Sequence, residues 1–179
     1  PALRDEYAAF PPHLVFAYSN IGYSLLGHLV QTVTEVPFAA AMHERLFEPL
    51  DMASTRFAAS PSADLPLASG YKQGRALDPL PIRDVPAQGL ETTAADLGRF
   101  VSALLCGGRL EGRQVLPPDL IETAMAPQNA DVALDLDVVT GLGWFLEADA
   151  VPGAGQAVRH GGATLAYTAE LMLLPEEGV

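Results

Sequence analysis

The chain has 179 residues, 49% of them hydrophobic and 18% charged, with a formal net charge of -12 and an isoelectric point near 4.5. That is enough apolar chain to bury a sizeable core, and it excludes a disordered polyelectrolyte. So acidic a surface offers no field for binding nucleic acid, the single Cys106 cannot form an internal disulfide or a thiolate metal cluster, and no apolar run approaches the roughly 18 to 20 residues of a transmembrane helix.

The first organised element begins at Ser19 or Asn20, either of which suits the N-cap of a helix. Leu25, Leu26, Leu29, Val30 and Val33 recur at helical spacing and predict its buried stripe, while His28, Gln31, Thr32 and Glu35 form the solvated face. Pro37 opens a second helix through Met42, Leu46 and Phe47, which Pro49 ends. Between Ala58 and Pro86 the chain is crowded with Pro, Ser, Gly and Asp, and reads as loop with short extended pieces. Thr93 and Asp96 then mark a capping-box-like start. Leu97, Phe100, Val101, Leu104 and Leu105 make the core stripe of this third helix, and Gly107 and Gly108 stop it.

Pro117 and Pro118 open a fourth helix through Leu120, Ile121 and Met125. From Gly141 onward the pattern turns extended, with strands expected over Trp144 to Leu146, Ala157 to Arg159 and Leu165 to Leu174, the first two joined by a turn at Pro152 to Gly155. Helices in about 1–130 and antiparallel strands in about 140–179 imply an α+β fold. The chain opens on Pro1 and closes on a strand running into the turn Pro175 to Gly178, with no return strand. The expectation is a domain truncated at both ends, since a half hairpin leaves an unpaired edge.

Two short segments display chemistry. Tyr18-Ser19-Asn20 stands at the corner between extended Val15-Phe16-Ala17 and the first helix, where capping alone is the ordinary reading. His160-Gly161-Gly162 lies at the end of an expected strand, where paired glycines permit close approach to the backbone or simply make a turn. A Gly-x-Ser-x-Gly elbow is excluded at Gly22-Tyr23-Ser24-Leu25-Leu26-Gly27, because the second Gly is one place late and the Ser falls inside a helix. Nothing in the sequence joins Ser19 and His160 to an Asp as a triad. Four scattered His residues without His-x-x-x-His spacing argue against zinc, and Gly141-Leu142-Gly143 has neither the Lys nor the helix of a phosphate loop.

In context, the run from Phe16 to Gly27 resembles the second motif region of the serine β-lactamase and penicillin-binding-protein type hydrolases, where Tyr-x-Asn leads into a helix. Glu48-Pro49-Leu50-Asp51-Met52 with Thr55 resembles that family's Pro-Leu-Gly-Met-x-x-Thr segment, with Asp51 in place of Gly. Gln88-Gly89-Leu90 with Thr92 to Leu97 is similar to its Gly-Leu-x-Ser-Thr-Ala-x-Asp-Leu helix entry. Gly141-Leu142-Gly143-Trp144 and His160-Gly161-Gly162 resemble its late strands. The matches run in the family's order over nearly the whole chain.

The resemblance implies a β-lactamase/transpeptidase-like fold and acyl transfer from a Ser-x-x-Lys nucleophile, with no cofactor and no metal. Tyr18 is then the proton-relaying phenol, Asn20 a donor to the acyl side of the substrate, and His160 the polar group of the third motif. Gly161 and Gly162 let substrate lie along the strand, and the N–H of Ala163 is half of an oxyanion hole. The expected partner is a small-molecule or peptide substrate, with oligomeric state and compartment left open. His160 in place of Lys leans toward esterase or D-amino-acid peptidase chemistry over β-lactam hydrolysis.

The departure is the nucleophile. The one literal Ser-x-x-Lys, Ser69-Gly70-Tyr71-Lys72, follows Tyr-x-Asn instead of preceding it and sits in the loop-like stretch after Pro66, so we read it as a decoy. An active hydrolase with its nucleophile upstream and a catalytically silent relative using the same cleft for binding are the two readings that follow.

Overall fold

The computed structural model describes residues 7–59, 67–78 and 81–179. The first long helix, α1 (Asn20–Thr34), starts where Ser19 adopts an extended conformation and its Oγ accepts the N–H of Gly22 at 3.0 Å, satisfying one of the helix's orphan donors. It ends at Glu35, which turns left-handed with φ of 59°. A second helix, α2 (Phe38–Met42), follows Pro37 and widens into a π-helical turn over His43–Phe47 before Pro49.

Strand β1 (Arg56–Phe57) pairs with β4 (Leu90–Glu91), and β2 (Gly70–Lys72) forms a hairpin with β3 (Arg75–Leu77) around Gln73 and Gly74, both at positive φ. A short α3 (Val85–Gln88) leads into β4. The stretch read as loop with short extended pieces holds the extended pieces as a hairpin and adds a helical turn, while its residues 60–66 and 79–80, Pro66 among them, lie outside the described residues.

Helix α4 (Ala94–Leu105) has the expected cap: Thr93 Oγ1 accepts the N–H of Asp96 at 3.2 Å. The small hairpin of β5 (Arg109–Leu110) and β6 (Arg113–Gln114) and then α5 (Pro118–Met125) follow. The last sheet is ordered β7 (Phe145–Ala148), β8 (Gln156–Ala163), β9 (Thr168–Leu173), with both pairings antiparallel. Strand β8 runs further than expected. His160-Gly161-Gly162 lies inside it, because Ala163 still pairs with Thr168 and the turn waits until residues 164–167.

Helix α4 joins the two halves of the core. Its Ala103 packs with Phe47, Leu50, Met52 and Leu110, and its Leu104 packs with Ile121 of α5 and with Leu146, Val158 and Leu173 on the inner face of the sheet. The neighbouring segment is tied in by Asp96, whose Oδ2 accepts from the Ser54 N–H at 2.8 Å and the Thr55 hydroxyl at 2.7 Å. Leu50 and Leu173 are fully buried.

Helix α1 corrects an expectation. Its apolar stripe is exposed in this chain, with Leu25, Leu26, Leu29 and Val33 at 48%, 53%, 56% and 74%. Only Gly27 of α1 is fully buried, where a Cβ would collide with the ring of Pro86. Helical periodicity identified the apolar face correctly, yet α1 reaches the rest of the described chain on its other side, through α2 and α3. No helix among the described residues is long and apolar enough to cross a membrane.

Candidate active site

The segment leading into α1 is held by backbone pairing. Val15 forms a parallel bridge with Leu134, the N–H of Phe16 donates to the Leu134 carbonyl at 2.9 Å, and the N–H of Leu134 donates to that of Leu14 at 2.9 Å. Ser19 is committed to its cap, and Tyr18 immediately before it is a 58% exposed residue. Asn20 is the first residue of α1 and partly buried.

His160 comes from the middle of β8, opposite Leu171. The two-residue period of a strand puts it and Gly162 on the same face as Val158, the face packed against α4 and α5. The Tyr18 and His160 rings lie 6.2 Å apart, so residues separated by most of the chain stand side by side. The third ring is Phe145, 6.4 Å from Tyr18 and 5.8 Å from His160, and Phe16 meets Phe145 edge-on at 6.3 Å. Sequence reasoning missed Phe145, since an aromatic after Trp144 at the start of a strand reads as ordinary core.

A tight turn delivers Phe145. Thr140 bridges to Phe145 and the Gly141 N–H donates to the Trp144 carbonyl at 2.9 Å. The turn is pressed onto the end of α5: the Leu142 N–H donates to the Ala124 carbonyl at 2.8 Å, and a Cβ on Gly141 would fall inside that oxygen. Gly143 has φ of 81°, and the hydroxyl of Tyr23 lies 3.3 Å from where its Cβ would be. Burial, and secondarily the neighbouring Tyr18, push the Tyr23 phenol above its ordinary pKa.

The two glycines of β8 have different surroundings. At Gly161 the missing side chain makes room for the carboxylate of Glu170, whereas among the described residues nothing lies within 4 Å of the Cβ position at Gly162. A shallow groove follows this part of the sheet, lined by Gly161, Gly162, Ala163, Thr168, Ala169 and Glu170 and not by Tyr18 or His160. The Thr164 N–H donates to the Tyr167 carbonyl at 2.9 Å, so the alternation of an antiparallel ladder turns the N–H of Ala163 away from β9. On that side β7 has already ended at Phe145, opposite Arg159, and among the described residues the edge is open.

Arg159 points to the other face, where it bridges Glu147 on β7 and Glu170 on β9. Its hydrogen bond holds the Glu147 carboxyl below the usual carboxylate range, and the two acids raise the guanidinium's own pKa. Ser69 directly precedes β2 and Lys72 ends it, so the pair is extended, with side chains on opposite faces, and not one helical turn apart. The base of that hairpin is docked on the β8–β9 turn, with the Tyr167 hydroxyl donating to the Ala68 carbonyl at 2.8 Å.

The Beta-lactamase family model matches residues 2–179. The chain is 32% identical over 179 residues to a human protein named putative beta-lactamase-like 1, covering 97% of this chain and 34% of that protein. It is 29% identical over 192 residues to penicillin-binding protein 4 of Amycolatopsis lactamdurans, covering 99% and 49%. Among solved structures, the octameric penicillin-binding protein homologue from Pyrococcus abyssi superposes with a TM-score of 0.79 at 22% identity, over 99% of this chain and 40% of that one. The D-alanine carboxypeptidase AmpC from Burkholderia cenocepacia gives 0.76 at 22% identity, over 97% and 56%. The chain therefore spans about a third to a half of the relatives' length, and its fold is that of β-lactamases and transpeptidases.

Proposed function

Since the chain belongs to the β-lactamase and penicillin-binding-protein family of serine hydrolases, we propose that it is the part of such an enzyme that holds substrate against a serine supplied from outside these 179 residues. The observation that carries this reading is the juxtaposition of Tyr18 and His160 at 6.2 Å beside a strand edge that is unpaired among the described residues.

In the proposed reaction the serine oxygen attacks an ester or D-amino-acid amide carbonyl, and its proton passes to Tyr18. A phenol can take up that proton only as its phenolate, a form stabilised by a neighbouring cation such as the lysine of a Ser-x-x-Lys. The N–H of Ala163, aimed off the open edge, supports the oxyanion of the tetrahedral intermediate together with the serine's own N–H. Asn20 donates to the acyl side, and His160 binds the leaving-group side from β8. The open space at Gly162 lets substrate lie along the strand. Collapse of the intermediate expels the alcohol or amine, which takes a proton back through Tyr18, and water then releases the acid. His160 at the third-motif position, in place of Lys, favours esters and D-amino-acid peptides over β-lactams.

Ser69 is not the nucleophile in this reading, because an extended Ser-x-x-Lys cannot bring the amine to the hydroxyl. The test is hydrolysis of p-nitrophenyl esters by the complete protein. Tyr18→Phe should lower acylation by roughly 100-fold or more with binding little changed, as expected for loss of a general acid–base group. Full activity in Tyr18→Phe would remove Tyr18 from the mechanism. A complete protein that binds such substrates without turning them over would make it a binding module on the same cleft.

A further inference from the structure

We propose that Phe145 is a positioning residue of this site, setting the separation and tilt of the Tyr18 phenol and the His160 imidazole; the proposal rests on the reading of those two residues given above. Among the described residues, no side-chain hydrogen bond orients the Tyr18 hydroxyl or the His160 ring, and the contacts of both side chains with neighbouring rings are the interactions on which the proposal rests. Phe145 is the shared neighbour. Its ring is within 9° of parallel to Tyr18 and 29° from His160, at centroid distances of 6.4 and 5.8 Å, inside the range in which aromatic pairs attract. Phe16 closes the outer side of Phe145 at an interplanar angle of 72°.

Phe145 is itself rigidly delivered. It opens β7, is bridged to Thr140, and follows a turn clamped to α5 through Leu142 and crowded by the Tyr23 hydroxyl at Gly143. Tyr18 and Tyr23 belong to the α1 segment, whereas Phe145 and His160 belong to the sheet. The ring of Phe145 thus gives the sheet a contact, beside that of His160 itself, with a group carried by the helical half. Its chemistry is inert, and its effect is geometric: displacement of a reacting group by about 1 Å costs on the order of 100-fold in rate.

The experiment compares Phe145→Leu, Phe145→Tyr and Tyr18→Phe in the complete protein, reading p-nitrophenyl ester hydrolysis together with the NMR shifts of the His160 ring protons. Phe145→Leu should lower kcat by roughly 10- to 100-fold while KM changes by less than about threefold. It should also move the His160 ring-proton signals, because the ring current of Phe145 is gone. Phe145→Tyr, which keeps the ring, should restore kcat to within about threefold. If Phe145→Leu lowers the melting temperature, Phe145→Met, with its adaptable side chain, takes its place. Wild-type kcat in a folded ringless variant, or unmoved His160 signals, would overturn the proposal. Phe145→Leu active alongside an inactive Tyr18→Phe would sink the role of Phe145 alone, whereas an active Tyr18→Phe would sink the reading of the site itself.

Discussion

An alanine at Gly161 would drive its Cβ into the Glu170 carboxylate, whereas at Gly162 the same methyl would enter open space on the face that carries His160. The two substitutions therefore separate packing from function. Gly162→Ala should leave the melting temperature within about 2 °C of wild type, since nothing is displaced. In the complete protein it should still lower kcat/KM for esters, because the methyl occupies the proposed substrate face. A thermal melt beside a kinetic assay checks both, and unchanged kcat/KM would mean that substrate does not cross Gly162. At this scale local pattern singled out Tyr18-Ser19-Asn20 and His160-Gly161-Gly162, and the fold sets Tyr18 beside His160. It was silent on Phe145, whose part depends on rings 127 and 15 positions away along the chain and is written in no local spacing.

Among the elements, α4 was legible down to its cap, yet its Asp96 does more than the cap required. The capping-box reading assigns it to the helix's own first turn, whereas its carboxylate accepts from Ser54 and Thr55, more than 40 residues earlier. Asp96 is 7% exposed, so removing it strands the part-buried Ser54 N–H and takes from the Thr55 hydroxyl one of its two partners, leaving it Thr92. Asp96→Ala should cost about 2 to 4 kcal/mol, read as a lowered urea midpoint at unchanged m-value. A loss under 0.5 kcal/mol would show that the segment from Pro49 to Thr55 is held by other means. Helix α1 and strand β8 show why the rest was not legible. Periodicity marks the apolar face of α1 but cannot say what covers it, and the glycines that suggested an end to β8 are tolerated within it because Glu170 and open space occupy their side-chain positions. Ser69 to Lys72 reads as a decoy from its loop composition and its place after Tyr-x-Asn, and the segment runs into the extended strand β2 instead of a helix.

Over the whole molecule, one sheet presents two faces of different character. The inner face carries Val158, Leu146 and Leu173 into the core with His160 at its end, and the outer face carries the Glu147–Arg159–Glu170 ladder across all three strands. Because Arg159 lowers the folded-state pKa of Glu147, that group contributes stability above the ordinary Glu pKa of about 4.3 and loses it as pH falls through the folded value. Melting temperature should therefore decline below about pH 4.3, less steeply in Glu147→Gln, and the difference should shrink in 1 M salt. Identical pH profiles for the two proteins would remove Glu147 from the linkage.

The central claim is that these residues form the substrate-holding part of a serine hydrolase whose nucleophile lies outside them. It is tested most directly by mass spectrometry after treatment with a serine-directed phosphonate, applied to the complete protein and to the 179-residue chain. The account predicts stoichiometric labelling of the complete protein on a serine outside residues 1–179, slower labelling in Tyr18→Phe, and no label on the 179-residue chain. Labelling of Ser69, Ser19 or any other serine within the 179 residues, or a complete protein that takes no label, would contradict it.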